Sequence, residues 1–124
     1  MPRGDDLQER LIQFAARIIR VSSALPKNIA GRHIANQILR SGTAPAAHHA
    51  EARAAESASD FIHKMKIGAK ELNETEVWLR IIIASDLLSE KQMAGVLQEC
   101  NELQRIFATS IKTARRSRNS RPRR

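Results

Sequence analysis

The chain has no tyrosine, one cysteine and one tryptophan, and aromatic residues fill only 3% of its 124 positions. A lone thiol cannot staple the fold, so Cys100 reads as the reduced cysteine of a cytoplasmic protein. With so few aromatics, the core must be built from Leu, Ile, Ala and Met, which suits helices better than sheets. Strand-like alternation of apolar and polar residues is missing throughout. So is any apolar run near the roughly 20 residues needed to span a bilayer. The start, MPRGDDLQER, lacks the apolar stretch of a secretory leader. The length leaves room for one core and hardly for two.

Acidic residues are missing from one end. The last ten residues, RRSRNSRPRR, hold six arginines and no acid, so of the net charge of +8 only about +2 belongs to the first 114 residues. The chain therefore divides into a nearly neutral body, 1–114, and a basic tail, 115–124, whose composition predicts disorder.

Four helices account for the body. Asp5 or Asp6 can cap the first, whose apolar positions Leu7, Leu11, Phe14, Ile18 and Val21 share one helical face. It ends near Leu25-Pro26, since the residue before a proline avoids the α region. Asn28 can cap the second, which carries Ile29, Ile34 and Ile38 into a run of small residues. Pro45 removes the N–H that would bond the Ser41 carbonyl, which predicts a kink. Ser57 or Ser59 opens a long third helix with a stripe of Phe61, Met65, Ala69, Leu72, Glu76, Leu79 and Ile83. Ser89-Glu90-Lys91-Gln92 is a capping box for the fourth, followed by Met93, Val96, Leu97, Cys100, Leu103, Phe107 and Ile111. Four helices with short connections predict an all-α, antiparallel up-down-up-down bundle.

The third helix has a second face: Lys64, Ile67, Glu71, Glu74, Trp78, Ile81 and Ile82. It is either a wide core stripe with solvated charges or an oligomer contact. The tryptophan and the run Ile81 to Ile83, apolar all round, favour the contact.

Two segments together, QILRSGTAPAAHHAEA (37–52) and FIHKMKIGAKELNETEVWL (61–79), carry a familiar pattern. Gln37, Arg40, Ser41, Glu51 and Ala52, then Phe61, Lys64, Ile67, Lys70, Glu71, Glu74, Thr75, Trp78 and Leu79, fall at matching positions. The chain resembles, over about residues 7 to 110, the 23S rRNA intervening-sequence family of four-helix bundles. It departs where Ala44-Pro45 replaces the usual Ser-Ile and His48 the usual Asn. The resemblance implies a homopentamer with no assigned enzyme activity. It also implies kinship with the accessory variability protein of diversity-generating retroelements, a basic pentamer that binds nucleic acid. At the family positions, His48 is expected to hydrogen-bond a neighbouring helix, and Glu51 to pair with Arg40 or Lys70. His49 is expected to face solvent.

Catalytic chemistry finds little support. Di-iron bundles place Glu-x-x-His on two helices; here that spacing never occurs, and His48-x-x-Glu51 is its reverse. Cys100, within an apolar stripe, reads as an inert thiol. There is no Gly-rich phosphate loop. No metal, cofactor or small-molecule substrate is expected. Binding is the remaining class. Arg115, Arg116, Arg118, Arg121, Arg123 and Arg124 form a candidate phosphate-binding arm, repeated in each copy of an oligomer, with Arg10, Arg17 and Arg20 as a basic strip on the first helix. With stacking residues scarce, RNA or DNA would be held by its backbone with weak sequence specificity. The rival expectations are a solubilising tail and a protein-interaction hub.

Overall fold

The computed structural model describes residues 3–120 and contains four helices: α1 (Gly4–Ala24), α2 (Ile29–Arg53), α3 (Ala58–Ala84) and α4 (Glu90–Ser120). They form the expected bundle. Each helix packs extensively on the next in sequence, whereas α1 and α4 touch only sparingly. The core holds Leu11, Phe14 and Ile18 from α1, Ile38 from α2, Met65, Leu72 and Leu79 from α3, and Leu103 and Phe107 from α4, all essentially inaccessible.

Local chemistry sets the helix ends. Leu25, before Pro26, is extended (φ −69°, ψ 148°) and closes α1. Asn28 caps α2 through its side-chain oxygen, which accepts from the Gly31 N–H at 2.8 Å. Ser57 rather than Ser59 caps α3, its Oγ accepting from the Asp60 N–H at 3.0 Å. The capping box of α4 is formed reciprocally: the Gln92 N–H donates to Ser89 Oγ at 3.1 Å, and the Ser89 N–H donates to Gln92 Oε1 at 3.0 Å. Asp5 and Asp6 do not cap α1. They lie in its first turn, with Arg3 at the cap position, where their negative charge complements the helix dipole.

The end of α3 is a Schellman turn. The Leu87 N–H donates to the Ile82 carbonyl and the Asp86 N–H to the Ile83 carbonyl, both at 3.1 Å. Asp86 takes the left-handed position, φ 58°, that glycine usually fills.

Two expectations are corrected. The buried row of α3 is Ile62, Met65, Gly68, Leu72, Thr75, Leu79 and Ile82, so the predicted stripe is right at Met65, Leu72 and Leu79 and displaced by one residue at Phe61, Ala69, Glu76 and Ile83. Gly68 belongs there because a methyl group on it would stand 2.6 Å from Phe107 Cε2 across the α3–α4 interface. The segment 115–120 is not a disordered tail: α4 continues through Ser120, about 46 Å in all at 1.5 Å per residue. Arg121, Arg123 and Arg124 lie outside the described residues. Pro45 lies inside α2 and is buried.

Candidate functional site

The chemistry-bearing residues sort into the seams between helices and the exposed end of α4. After Glu102 the sequence carries eight lysines and arginines and no acid. Every described residue from Arg115 onward is exposed. At about 100° per residue, Arg115, Arg116 and Arg118 point in different directions around α4. Arg118 reaches Ser59 Oγ, at the start of α3, at 3.4 Å. Arg115 lines a groove of about 350 Å³ with Lys66 and Lys70 of α3, floored by Ala69, Ala108 and Ile111. Lys70 therefore stands in this groove rather than beside Glu51.

The basic strip on α1 is mostly engaged within the chain. Arg10 donates to Glu99 Oε1 of α4 at 2.6 Å and to Glu99 Oε2 at 3.1 Å, with Glu102 at 3.5 Å. The bond to Glu99 holds its guanidinium pKa above the ordinary value, against the opposing effect of burial. Arg17 is half-buried with its guanidinium against Gly95 of α4. Arg10 and Arg17 thus close the sparse α1–α4 seam, and only Arg20 is exposed.

Most of the second face of α3 is likewise a seam. Lys64 lies 3.7 Å from Glu51 of α2. Arg40 of α2 bridges Glu71, at 3.2 Å, and Glu74. Trp78 donates its indole N–H to Glu74 at 3.1 Å and meets His33 of α2 edge to face, centroids 5.9 Å apart. Ile67 is half-buried and Ile82 lies wholly in the core, which removes Ile82 from any intermolecular face. Ile81 alone of the set is exposed, at 38%. Deeper in the α2–α3 seam, Thr75 Oγ1 lies 2.9 Å from Ser41 Oγ and 2.8 Å from the Glu71 carbonyl. Each hydroxyl has one proton, so Ser41 donates to Thr75 and Thr75 to the carbonyl.

His49 departs from its expected place in solvent, and His48 from its expected hydrogen bond. His49 is the buried one, 3% exposed, with Nδ1 2.6 Å from Gln8 Oε1. Gln8 in turn donates to the Ala46 carbonyl at 3.0 Å. Burial, and secondarily Arg53, depress the His49 pKa to about 4, so the ring is neutral and its Nδ1–H donates to Gln8. His48 is half-buried toward α3, its Nδ1 3.7 Å from Glu51 and without a hydrogen-bond partner. Glu51 pairs with Lys64 and His48 because Arg40 is taken by Glu71 and Glu74. Sequence spacing puts His48 and His49 100° apart but does not say which faces inward; the low-polarity neighbour, Phe107 at 6.3 Å from His49, comes from another helix.

Among the described residues no three His, Cys, Asp or Glu side chains converge as a metal site, and no helix is long and apolar enough to cross a membrane. Cys100 is buried, its thiol donating to the Leu72 carbonyl at 3.3 Å, and burial raises its pKa to about 12. A thiol so held is neutral and shielded from reagents.

Comparison with known proteins agrees with this architecture. No curated protein matches the chain. A solved structure of a protein of unknown function from the S23 ribosomal protein family of Bacteroides thetaiotaomicron VPI-5482 superposes with a TM-score of 0.81. It shares 33% identity, over 86% of this chain and 98% of that one. The sequence profile of the 23S rRNA-intervening sequence proteins matches residues 6–109, stopping short of the arginine-bearing end of α4. With both motifs of that family lying along the α2–α3 seam, the chain belongs to the 23S rRNA-intervening sequence protein family.

Proposed function

We propose that this protein is a non-catalytic, self-associating helical bundle of the cytoplasm that holds RNA or DNA by its phosphates through the C-terminal part of α4. One observation carries the reading: beyond Glu102 the chain bears eight cations and no acid, and from Arg115 to Ser120 it continues as an exposed helix. Folding sets the described ones, Arg105, Lys112, Arg115, Arg116 and Arg118, along a helix, so less ordering entropy is lost on binding them than for a loose tail. Arg10 and Arg17, engaged with α4, are not part of the contact. The five copies implied by the family resemblance would present some thirty terminal arginines and add avidity. Tyrosine is absent and Trp78 is held in the α2–α3 seam, which leaves base stacking poorly supplied and makes recognition backbone-directed.

The test compares the full chain with a variant lacking residues 115–124, titrated with fluorescent single-stranded RNA and DNA across salt concentrations. None of the described deleted residues is buried, so the bundle stays intact. Six phosphate contacts per chain give a log–log salt slope near about −5, which collapses on truncation. An unchanged slope, or no binding by the full chain at low salt, refutes the proposal. In the second case a protein-interaction hub becomes the better reading.

A further inference from the structure

The groove beside Arg115 exists because alanines face each other across the α3–α4 seam. The approach of Phe107 to Gly68 sets Ala69 of α3 and Ala108 of α4 at one level. Their two methyl groups leave a trough between the helices, and Ile111 completes its floor. The rim is cationic. Lys66 and Lys70 stand one turn apart on α3, about 6 Å along the axis, and Arg115 lines the α4 side. All three are exposed, and none has an ion-pair partner among the described residues.

Among the described residues no acid lines this groove. Glu71 and Glu74, beside Lys70 and one turn beyond it, are held by Arg40. Glu76 is bonded to Gln104 of α4 and lies 3.9 Å from Arg80. Asp60 is about 120° round α3 from Lys66, and α4 carries no acid after Glu102. The other ionisable groups along this stretch are basic: His63, one turn before Lys66, with Arg105 and Lys112 on α4. Like charges one turn apart on a helix repel, and a bound anion removes that repulsion.

We infer that this groove seats one unpaired nucleotide of a single-stranded nucleic acid, its sugar and base on the alanine–isoleucine floor and its neighbouring phosphates on Lys66, Lys70 and Arg115. The inference rests on the phosphate-binding reading above and names the form of strand that reading leaves open. A volume of about 350 Å³ suits a small ligand and is too small for a paired helix. A duplex turns its bases inward and would reach only the rim, leaving the floor in water. A free inorganic anion would leave it in water too. An unpaired nucleotide meets both halves of the groove, covering apolar area and matching charge. The path also continues beyond it. On α3, Ser59 and His63 share the face of Lys66 and Lys70, and Arg118 of α4 reaches Ser59 Oγ at 3.4 Å. From Lys70 to Ser59 this is a basic track about 16 Å long, leading from the groove to the exposed arginines. The floor offers no polar side chain, so the base is covered without being read.

The test reads the ratio of single-strand to duplex affinity, using the full chain with a fluorescent oligothymidylate and a duplex of equal length at one salt concentration. Ala108→Leu fills the trough without changing charge, at an exposed helical position, and circular dichroism checks that the fold is kept. It is expected to lower single-strand affinity about three- to tenfold while leaving duplex affinity and the salt slope unchanged. Lys66→Gln/Lys70→Gln, again at exposed positions, gives a second reading. It is expected to reduce the single-strand salt slope by about 1.4, two contacts at about 0.7 each. An unchanged affinity ratio in Ala108→Leu, or an unchanged slope in the lysine pair, overturns the inference. Should removal of residues 115–124 still collapse the slope in that case, the phosphate-binding reading stands without the groove. A full chain that binds neither probe ends both.

Discussion

Lowering the pH should destabilise the bundle through His49. The ring is buried, with its Nδ1–H on Gln8, and its pKa in the folded chain is about 4 against an unperturbed 6.5. A depressed folded pKa means that the unfolded chain binds the proton more readily. The stabilisation is therefore complete above about pH 6.5 and is lost as pH falls toward 4. Linkage between these two values gives a loss of about 2 kcal/mol from pH 7.5 to pH 5.0, with a slope approaching about 1.4 kcal/mol per pH unit. Urea unfolding at half-unit pH intervals measures that slope. His49→Gln, which does not titrate, should be less stable at pH 7.5 but nearly flat across the window. NMR titration of the four histidines should show one ring that stays neutral at pH 5.0. A variant with the wild-type slope, or a His49 ring that is protonated at pH 5.0, would refute the reasoning.

Asp86→Gly should raise stability by about 0.5 kcal/mol, because glycine takes the left-handed position without a Cβ penalty; a rise in melting temperature of about 1 to 3 °C checks it. Asp86→Val, β-branched at φ 58°, should lower the melting temperature instead. Gly68→Ala should cost about 1 to 3 kcal/mol, since the added methyl meets the Phe107 ring at the α3–α4 interface. Chemical denaturation reads this directly, and a neutral result would mean that the two helices separate freely.

The sequence was most legible where one helix face alone decides burial. The row Leu7, Leu11, Phe14, Ile18, Val21 on α1 is buried as spaced. The caps at Asn28 and Ser89 are local chemistry and read directly. On α3 the pattern misleads because its buried row includes Gly68 and Thr75, neither of which looks like core, while Phe61 and Ile83 beside the row do. Thr75 is acceptable there only because Ser41 of another helix satisfies it. The polar seams fail for the same reason. Arg40 has candidate partners in several acids, and its choice of Glu71 and Glu74 is set by how α2 and α3 lie together.

The order in which the helices pack has a kinetic consequence. Each of the three large interfaces joins neighbours along the chain, and only the sparse α1–α4 seam requires distant segments to meet. Low contact order of this kind places a domain among the fast folders, because little loop entropy is spent before contacts begin to form. The helical hairpins can form in succession. The clasp of Arg10 on Glu99 and Glu102, spanning 89 and 92 residues, is the closure that demands the longest search.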